Sequence, residues 1–183
     1  MVAVYSGSFN PLHIGHLAIL KHLDEMFEEV LLVVSPKNPL KEGISVDSSG
    51  ERFEAAVAAV GRHPELKNVS VSDIELKMEP PHYTVRTLDA LREAEPQKRF
   101  VLTVGGDQIA DFRRWKDWER ILSEYGIVVF PRVGFDAVAE AASLLNDCPE
   151  ASITIVDAPL VNVSSTQIRN ALAHGKDVSS LLM

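Results

Sequence analysis

The sequence predicts an α/β fold: a parallel sheet with helices on both faces. Three observations predict it. Short β-rich runs alternate with stretches of helical period along the chain. Runs such as residues 30–34 and Ile127–Phe130 are continuously apolar, the pattern of strands buried on both faces. The chain has 183 residues, 46% of them apolar, the size and composition of one domain that can bury a core without disulfides. A single domain over residues 1–183 is expected.

The elements follow in order. Residues 2–5 read as a strand, followed by the turn Ser6-Gly7-Ser8-Phe9-Asn10-Pro11. Leu17, Leu20, Leu23 and Phe27 then recur at helical spacing. The strand at 30–34 runs into Pro36 and Pro39. Ser48 and Glu51 have the spacing of a capping box, and Phe53, Ala56, Val57 and Val60 line one face of the helix that follows, with Gly61 as its stop. Val69 and Val71 suggest a short strand. Val85, Leu88 and Leu91 mark a helix ended by Pro96. Residues 100–104 are a strand, Trp118, Ile121 and Leu122 fit a short helix, and Ile127–Phe130 is a further strand. A helix over 137–145, a strand over 153–156 and a helix from Ser164-Ser165 to Leu172, closed by Gly175, complete the chain.

Charge and cysteine usage narrow the function. Lys plus Arg number 18 and Asp plus Glu 26, so 18 − 26 gives −8, without the basic footprint of a general nucleic-acid binder. A few cations focused in a cleft still suit an anionic small molecule. Cys148 is the only cysteine, so no intrachain disulfide forms and a cytoplasmic chain is expected. Met1-Val2-Ala3-Val4-Tyr5 carries no basic leader, and no apolar run is long enough to span a bilayer. Neither a nucleic acid nor a membrane is an expected partner. The sequence carries no signal for oligomeric state.

Two constellations carry chemistry. The first is Gly7-Ser8-Phe9-Asn10-Pro11-Leu12-His13-Ile14-Gly15-His16, between the first strand and first helix. Ligands of open α/β sheets bind at the carboxyl ends of strands, where helix N–H groups and the helix dipole attract phosphate. Gly7 lets a bound group approach the backbone, and His13 and His16, three apart, share a face if they lie on the first turn. Read alone, the pair suits phosphate donors, surface histidines or part of a metal site. No third ligand follows at metal-site spacing, so no metal held by the protein is expected. The second constellation is Val163-Ser164-Ser165-Thr166-Gln167-Ile168-Arg169, after the last strand. It places hydroxyls and free N–H groups at a helix start, with a guanidinium one turn on that suits phosphate or, equally, a surface position beside an ordinary cap.

Together these segments resemble the signatures of the nucleotidylyltransferase superfamily, His-x-Gly-His early and Ser-Ser-Thr-x-Ile-Arg late. Within it they resemble most the bacterial nicotinate-mononucleotide adenylyltransferases, over nearly the whole length. Pro36-Lys37-Asn38-Pro39-Leu40-Lys41 resembles that family's Pro-His-Lys loop, with Leu40 in the place of His. His82-Tyr83-Thr84-Val85-Arg86-Thr87-Leu88 is similar to its Tyr-Thr-x-x-Thr-Leu segment. Gly105-Gly106-Asp107 and Arg114-Trp115-Lys116-Asp117-Trp118 resemble two further motifs, with Lys116 where relatives have an aromatic residue or His.

The resemblance implies a Rossmann-like, doubly wound sheet of nucleotidylyltransferase type. It also implies transfer of the adenylyl group of ATP to nicotinate mononucleotide, with Mg²⁺ accompanying ATP. His16, His13, Lys41 and Arg169 would then be catalytic. Gly7, Ser8, Phe9, Gly106, Asp107, Ser164, Ser165 and Thr166 would join His13, His16 and Arg169 around ATP. Asn10, Lys41, Thr84 and Trp115 would hold the acceptor. Nicotinamide mononucleotide and phosphopantetheine are the rival acceptors, and His13 speaks against the second, whose enzymes usually have Thr there. A nucleotide-binding regulatory module without turnover and a plain structural domain are the readings outside catalysis.

Overall fold

The computed structural model describes residues 1–36, 49–158, 161 and 163–183. Among them, six strands form one all-parallel sheet: β1 (Val2–Gly7), β2 (Glu29–Val34), β3 (Val69–Ser72), β4 (Phe100–Gly105), β5 (Ile127–Phe130) and β6 (Ile153–Ile155). Their order is β3-β2-β1-β4-β5-β6. The chain winds outward from β1 in one direction and returns through β4 in the other, so β1 and β4 flank the point where strand order reverses.

The alternation of side chains along each strand feeds two cores. Val2, Val4, Leu31, Val33, Phe100, Leu102, Val104, Ile127 and Val129 face one side. They meet α4 (Thr84–Ala94) through Val85, Leu88 and Leu91, residues 118–125 through Ile121 and Leu122, and α7 (Ala137–Asp147) through Ala141 and Leu144. Ala3, Tyr5, Val30, Leu32, Val34, Val101, Val128 and Phe130 face the other side. There they meet α1 (Ile14–Met26) through Leu20 and Leu23, and α2 (Ser49–Gly61) through Ala56 and Ala59. Each fully buried leucine contributes about 1.5–3 kcal/mol of apolar transfer, so the two layers hold the sheet without a disulfide.

The expected order of strands and helices is met, with local corrections. Val57 is exposed, and α2 turns Arg52, Ala56 and Ala59 inward, with Phe53 and Val60 half-buried beside them. Ser48, and with it the capping box expected there, lies outside the described residues. Four short elements had no periodic signal: α3 (Ile74–Lys77), α5 (Gly106–Ile109) and 3₁₀ turns at Phe112–Arg114 and Ser179–Leu181. α6 (Trp118–Arg120) continues into a π-helical turn at Ile121–Tyr125, closed by the Gly126 N–H on the Ile121 carbonyl at 2.9 Å. α8 (Ser165–Ala173) ends as the glycine predicts. Gly175 sits at φ +68°, its N–H reaches Leu172 O at 2.9 Å, and the Lys176 N–H reaches Ala171 O at 3.0 Å.

Candidate active site

The loop after β1 enters the site through a buried aromatic cluster. Phe9 adopts φ +45°, a left-handed conformation costly for a side chain of its size. Its ring meets Tyr5 edge-on at 5.3 Å and His16 at 5.2 Å. A Cβ at Gly7 would lie 3.1 Å from that ring, so the space kept open by Gly7 seats Phe9.

The two histidines act as caps before they act on any ligand. His13 is the residue before the first turn of α1, not a member of it. Its Nδ1 accepts the Gly15 N–H at 3.1 Å, and the His16 Nδ1 accepts the His13 N–H at 3.2 Å. A ring nitrogen that accepts carries no proton, so each neutral imidazole has its N–H at Nε2. The rings stack 3.7 Å apart at 27°. Gly15 suits the space between them, because a Cβ there would lie 3.0 Å from the His13 ring and press on the stacked pair. Burial pushes the His13 pKa down to about 4, with the Arg132 charge adding to it. Burial, then His13, then Arg132 hold His16 well below the ordinary imidazole range. Near pH 7 the pair therefore presents two neutral N–H donors at a helix N-terminus, and no charge to be desolvated.

The late motif is bonded to this loop. The Arg169 guanidinium donates to the Asn10 carbonyl at 2.7 Å and to the Thr166 hydroxyl at 3.1 Å. Ser165 Oγ donates to the Pro11 carbonyl at 3.1 Å. Ser164 caps α8: its Oγ accepts the Gln167 N–H at 3.2 Å, and its N–H donates to the Gln167 side-chain oxygen at 2.9 Å. His13 forms an antiparallel bridge with Leu182, and the Met183 side chain is buried with Leu12, so the segment after α8 also returns to the loop.

The remaining candidates stand around this centre. Asp107 follows β4 and pairs with Arg132 at 3.0 Å. It does not cap its helix; the Gly105 N–H is taken by Gln108 at 2.8 Å. Gly106 packs on the loop after β5, where a Cβ would lie 3.0 Å from the Arg132 nitrogen. Thr84 opens α4, half-buried. The first four N–H groups of a helix lack partners within it. Tyr83 O takes those of Arg86 and Thr87, which leaves those of Thr84 and Val85 without partners among the described residues. Trp115 is half-buried, one face on Phe112 at 4.9 Å and 25°. Lys116 is exposed and pairs with Asp117 at 3.2 Å, away from any ring contact. Among the described residues, no bond or ring contact joins Thr84 or Trp115 to the histidines. Lys41 and Leu40 lie outside the described residues. Cys148 is a buried thiol at the end of α7.

Three residues near the site were not singled out from sequence. Arg52, 7% exposed, donates to the carbonyls of Ser8 at 2.6 Å, Ser35 at 2.8 Å and Pro36 at 2.8 Å. Glu75, 2% exposed, accepts from Thr87 and Ser6. Arg132 adds to the effect of burial in lowering the pKa of both imidazoles. A signal existed for Arg52, a charge in the buried register Arg52, Ala56, Ala59, and for Arg132, a cation directly beyond a strand's carboxyl end. Among the described residues, no cluster of three His, Cys, Asp or Glu is placed to hold a metal ion, and no helix is long and apolar enough to cross a membrane.

Comparison with known proteins gives the family and the fold. A family model described as Cytidylyltransferase-like matches residues 4–171. A Bacteroides thetaiotaomicron protein named probable nicotinate-nucleotide adenylyltransferase is 41% identical over 98% of this chain and 85% of its own. A Flavobacterium johnsoniae protein of the same name is 35% identical over 99% of this chain and 91% of its own. Among solved structures, the Plasmodium falciparum nicotinic acid mononucleotide adenylyltransferase complexed with NaAD superposes with a TM-score of 0.79 at 20% identity, covering 97% of this chain and 86% of that one. The same enzyme complexed with APC gives 0.78 at 19% identity, over 99% and 89%. At these identities the superpositions establish the doubly wound fold.

Proposed function

The chain belongs to the cytidylyltransferase-like family, and from that premise we propose that it transfers the adenylyl group of ATP to nicotinate mononucleotide, releasing pyrophosphate and the dinucleotide of NAD biosynthesis. One observation carries the reading. Arg169 and Ser165 are bonded to the loop that presents His13 and His16, so donors from both ends of the chain meet where strand order reverses. The names of relatives 35–41% identical over nearly the full length support the acceptor.

The chemistry needs positioning more than proton transfer. An oxygen of the acceptor's 5′-phosphate attacks the α-phosphorus of ATP, and the bond to the β-phosphate oxygen breaks. The nucleophile is already ionised near pH 7, its second pKa being about 6, so no general base is needed. Alignment and stabilisation of the spreading charge then supply the rate. In this reading the Nε2–H of His16 meets the α-phosphate, with His13 beside it. Arg169 and the amides of Ser164, Ser165 and Thr166 hold the β- and γ-phosphates. Lys41 approaches the transfer point and Asp107 the ribose. Gly7, Ser8 and Phe9 shape the loop under the phosphates, and Gly106 brings α5 close. Asn10, Thr84 and Trp115 hold the acceptor, with the free amides at the start of α4 able to receive an anion.

Mg²⁺ is proposed as the companion of ATP. The side chains at the site are donors and cations suited to phosphate oxygens, so its ligands would be triphosphate oxygens and water. A cytoplasmic location belongs to the same proposal and is supported by the single, buried cysteine.

The test is pyrophosphate release with ATP, Mg²⁺ and one acceptor at a time. Nicotinate mononucleotide is expected to give the highest kcat/KM. Higher kcat/KM with nicotinamide mononucleotide or phosphopantetheine would move the acceptor, and no release with any of them would leave a nucleotide-binding module.

A further inference from the structure

Among the described residues, six polar or charged ones are buried: His13, Ser35, Arg52, Glu75, Thr87 and Thr103. Four of them lie on one connected chain beneath the site. Thr87 Oγ1 donates to Glu75 Oε1 at 2.9 Å, and Ser6 Oγ donates to the same oxygen at 3.2 Å. With its single proton given to Glu75, Ser6 must accept from Ser35 Oγ, 2.9 Å away. The Ser35 carbonyl in turn receives Arg52, which also holds the carbonyls of Ser8 and Pro36. The chain thus runs from α4 through the end of β1 to the phosphate loop.

A carboxylate taken out of water onto neutral hydroxyls is a costly way to fill space, and an apolar side chain would fill it at less cost. What Glu75 gains is geometry: one oxygen fixes α4 to β1. Thr87 stands one turn from Thr84, at the acceptor end, while Ser6 directly precedes Gly7. We propose that Glu75 is a positioning residue for the transfer reaction, setting the start of α4, and with it the acceptor, against the ATP loop. This inference rests on the function proposed above. Its consequences are asymmetric. Without Glu75 the phosphate loop keeps the bond from Arg52 to the Ser8 carbonyl and the seat of Phe9, whereas α4 loses the hydrogen bond that ties Thr87 to the sheet's end.

The experiment compares Glu75→Leu, Glu75→Gln and Thr87→Val with the wild-type protein, reading KM for ATP, KM for nicotinate mononucleotide, kcat and Tm. Glu75→Leu is expected to raise KM for the mononucleotide roughly tenfold or more, the scale of a lost hydrogen bond to a charged group, and to lower kcat, with KM for ATP little changed. Glu75→Gln is expected to restore most of the loss, because one amide oxygen can accept from both hydroxyls. If Glu75→Leu does not fold, Thr87→Val is expected to give the same split at smaller amplitude. A lower Tm with unchanged kinetic constants, equal rises in both KM values, or Gln behaving like Leu would overturn the inference. Wild-type protein that releases no pyrophosphate would overturn the functional reading and the inference with it. Wild-type activity without the KM split would overturn the inference alone.

Discussion

The two helix starts that meet at the site, those of α1 and α8, are built on one local plan and use it differently. Each is closed by a reciprocal pair three residues apart, His13 with His16 and Ser164 with Gln167. At α8 the cap is ordinary: a hydroxyl and an amide satisfy the backbone, and the group offered to a ligand is Arg169, one turn later. At α1 the caps are themselves the offered groups. Each imidazole uses Nδ1 on the backbone and leaves Nε2–H without a partner among the described residues, so the bonds that start the helix also fix the tautomer and aim the donors. Burial differs accordingly. His13 is 4% exposed and stacked on His16, whereas Ser164 and Arg169 are half-exposed. One cap is a fixed donor pair; the other is a stand for a cation.

His16→Ala tests that difference hardest. It removes both a cap and a donor aimed at developing charge, and kcat is expected to fall on the order of 10²–10³-fold, the typical loss for one such donor. Equal turnover in steady-state assays would remove His16 from the reaction.

The pH dependence of folding comes next. The folded pKa of His13 is near 4, below its ordinary unfolded value, so the unfolded chain binds the proton first as pH falls. The stabilisation from the neutral imidazole is complete above about 6.5 and lost as pH falls toward 4, on the order of 3 kcal/mol for this group. Denaturant unfolding across that range is expected to show stability rising with pH. NMR of the imidazole nitrogens is expected to show both rings neutral, protonated at Nε2, at pH 6. A charged His13 at that pH would contradict the capping geometry.

Arg169→Ala is expected to raise the apparent KM for ATP by roughly ten- to a hundredfold, the scale of a lost charge-assisted bond. Part of that loss comes through Asn10, whose carbonyl Arg169 holds. Unchanged ATP dependence would take Arg169 out of the triphosphate site. Ser164→Ala should matter least. It removes an exposed cap worth about 1 kcal/mol in thermal unfolding, and turnover should fall far less than in His16→Ala. A larger kinetic effect at Ser164 than at His16 would reverse the comparison.

Most of the fold was legible because β1, β2, β4 and β5 are largely buried on both faces and read as apolar runs, and because α4 and α7 repeat their buried residues at helical spacing. α3 and α5 were not legible, since four residues are too few to show a period. The motif histidines were legible as a pair. Their role as caps was not, because the placement of His13 outside the first turn depends on the φ of the residues around it. What Arg52 and Glu75 bind at the site was illegible for a different reason. Their partners lie 44 and 69 residues away, at Ser8 and Ser6, and no local pattern encodes such a pairing. Tertiary bonding also joined the two motifs. Sequence supplied both, and Arg169 on Asn10 is what places them at one site.

The most direct test follows the α-phosphorus. With ATP labelled at that atom, Mg²⁺ and nicotinate mononucleotide, the account requires the label to appear in the dinucleotide, with unlabelled pyrophosphate in equal amount. Label recovered as AMP, or remaining wholly in ATP under conditions where the folded protein binds it, would contradict adenylyl transfer at this pair of helix starts.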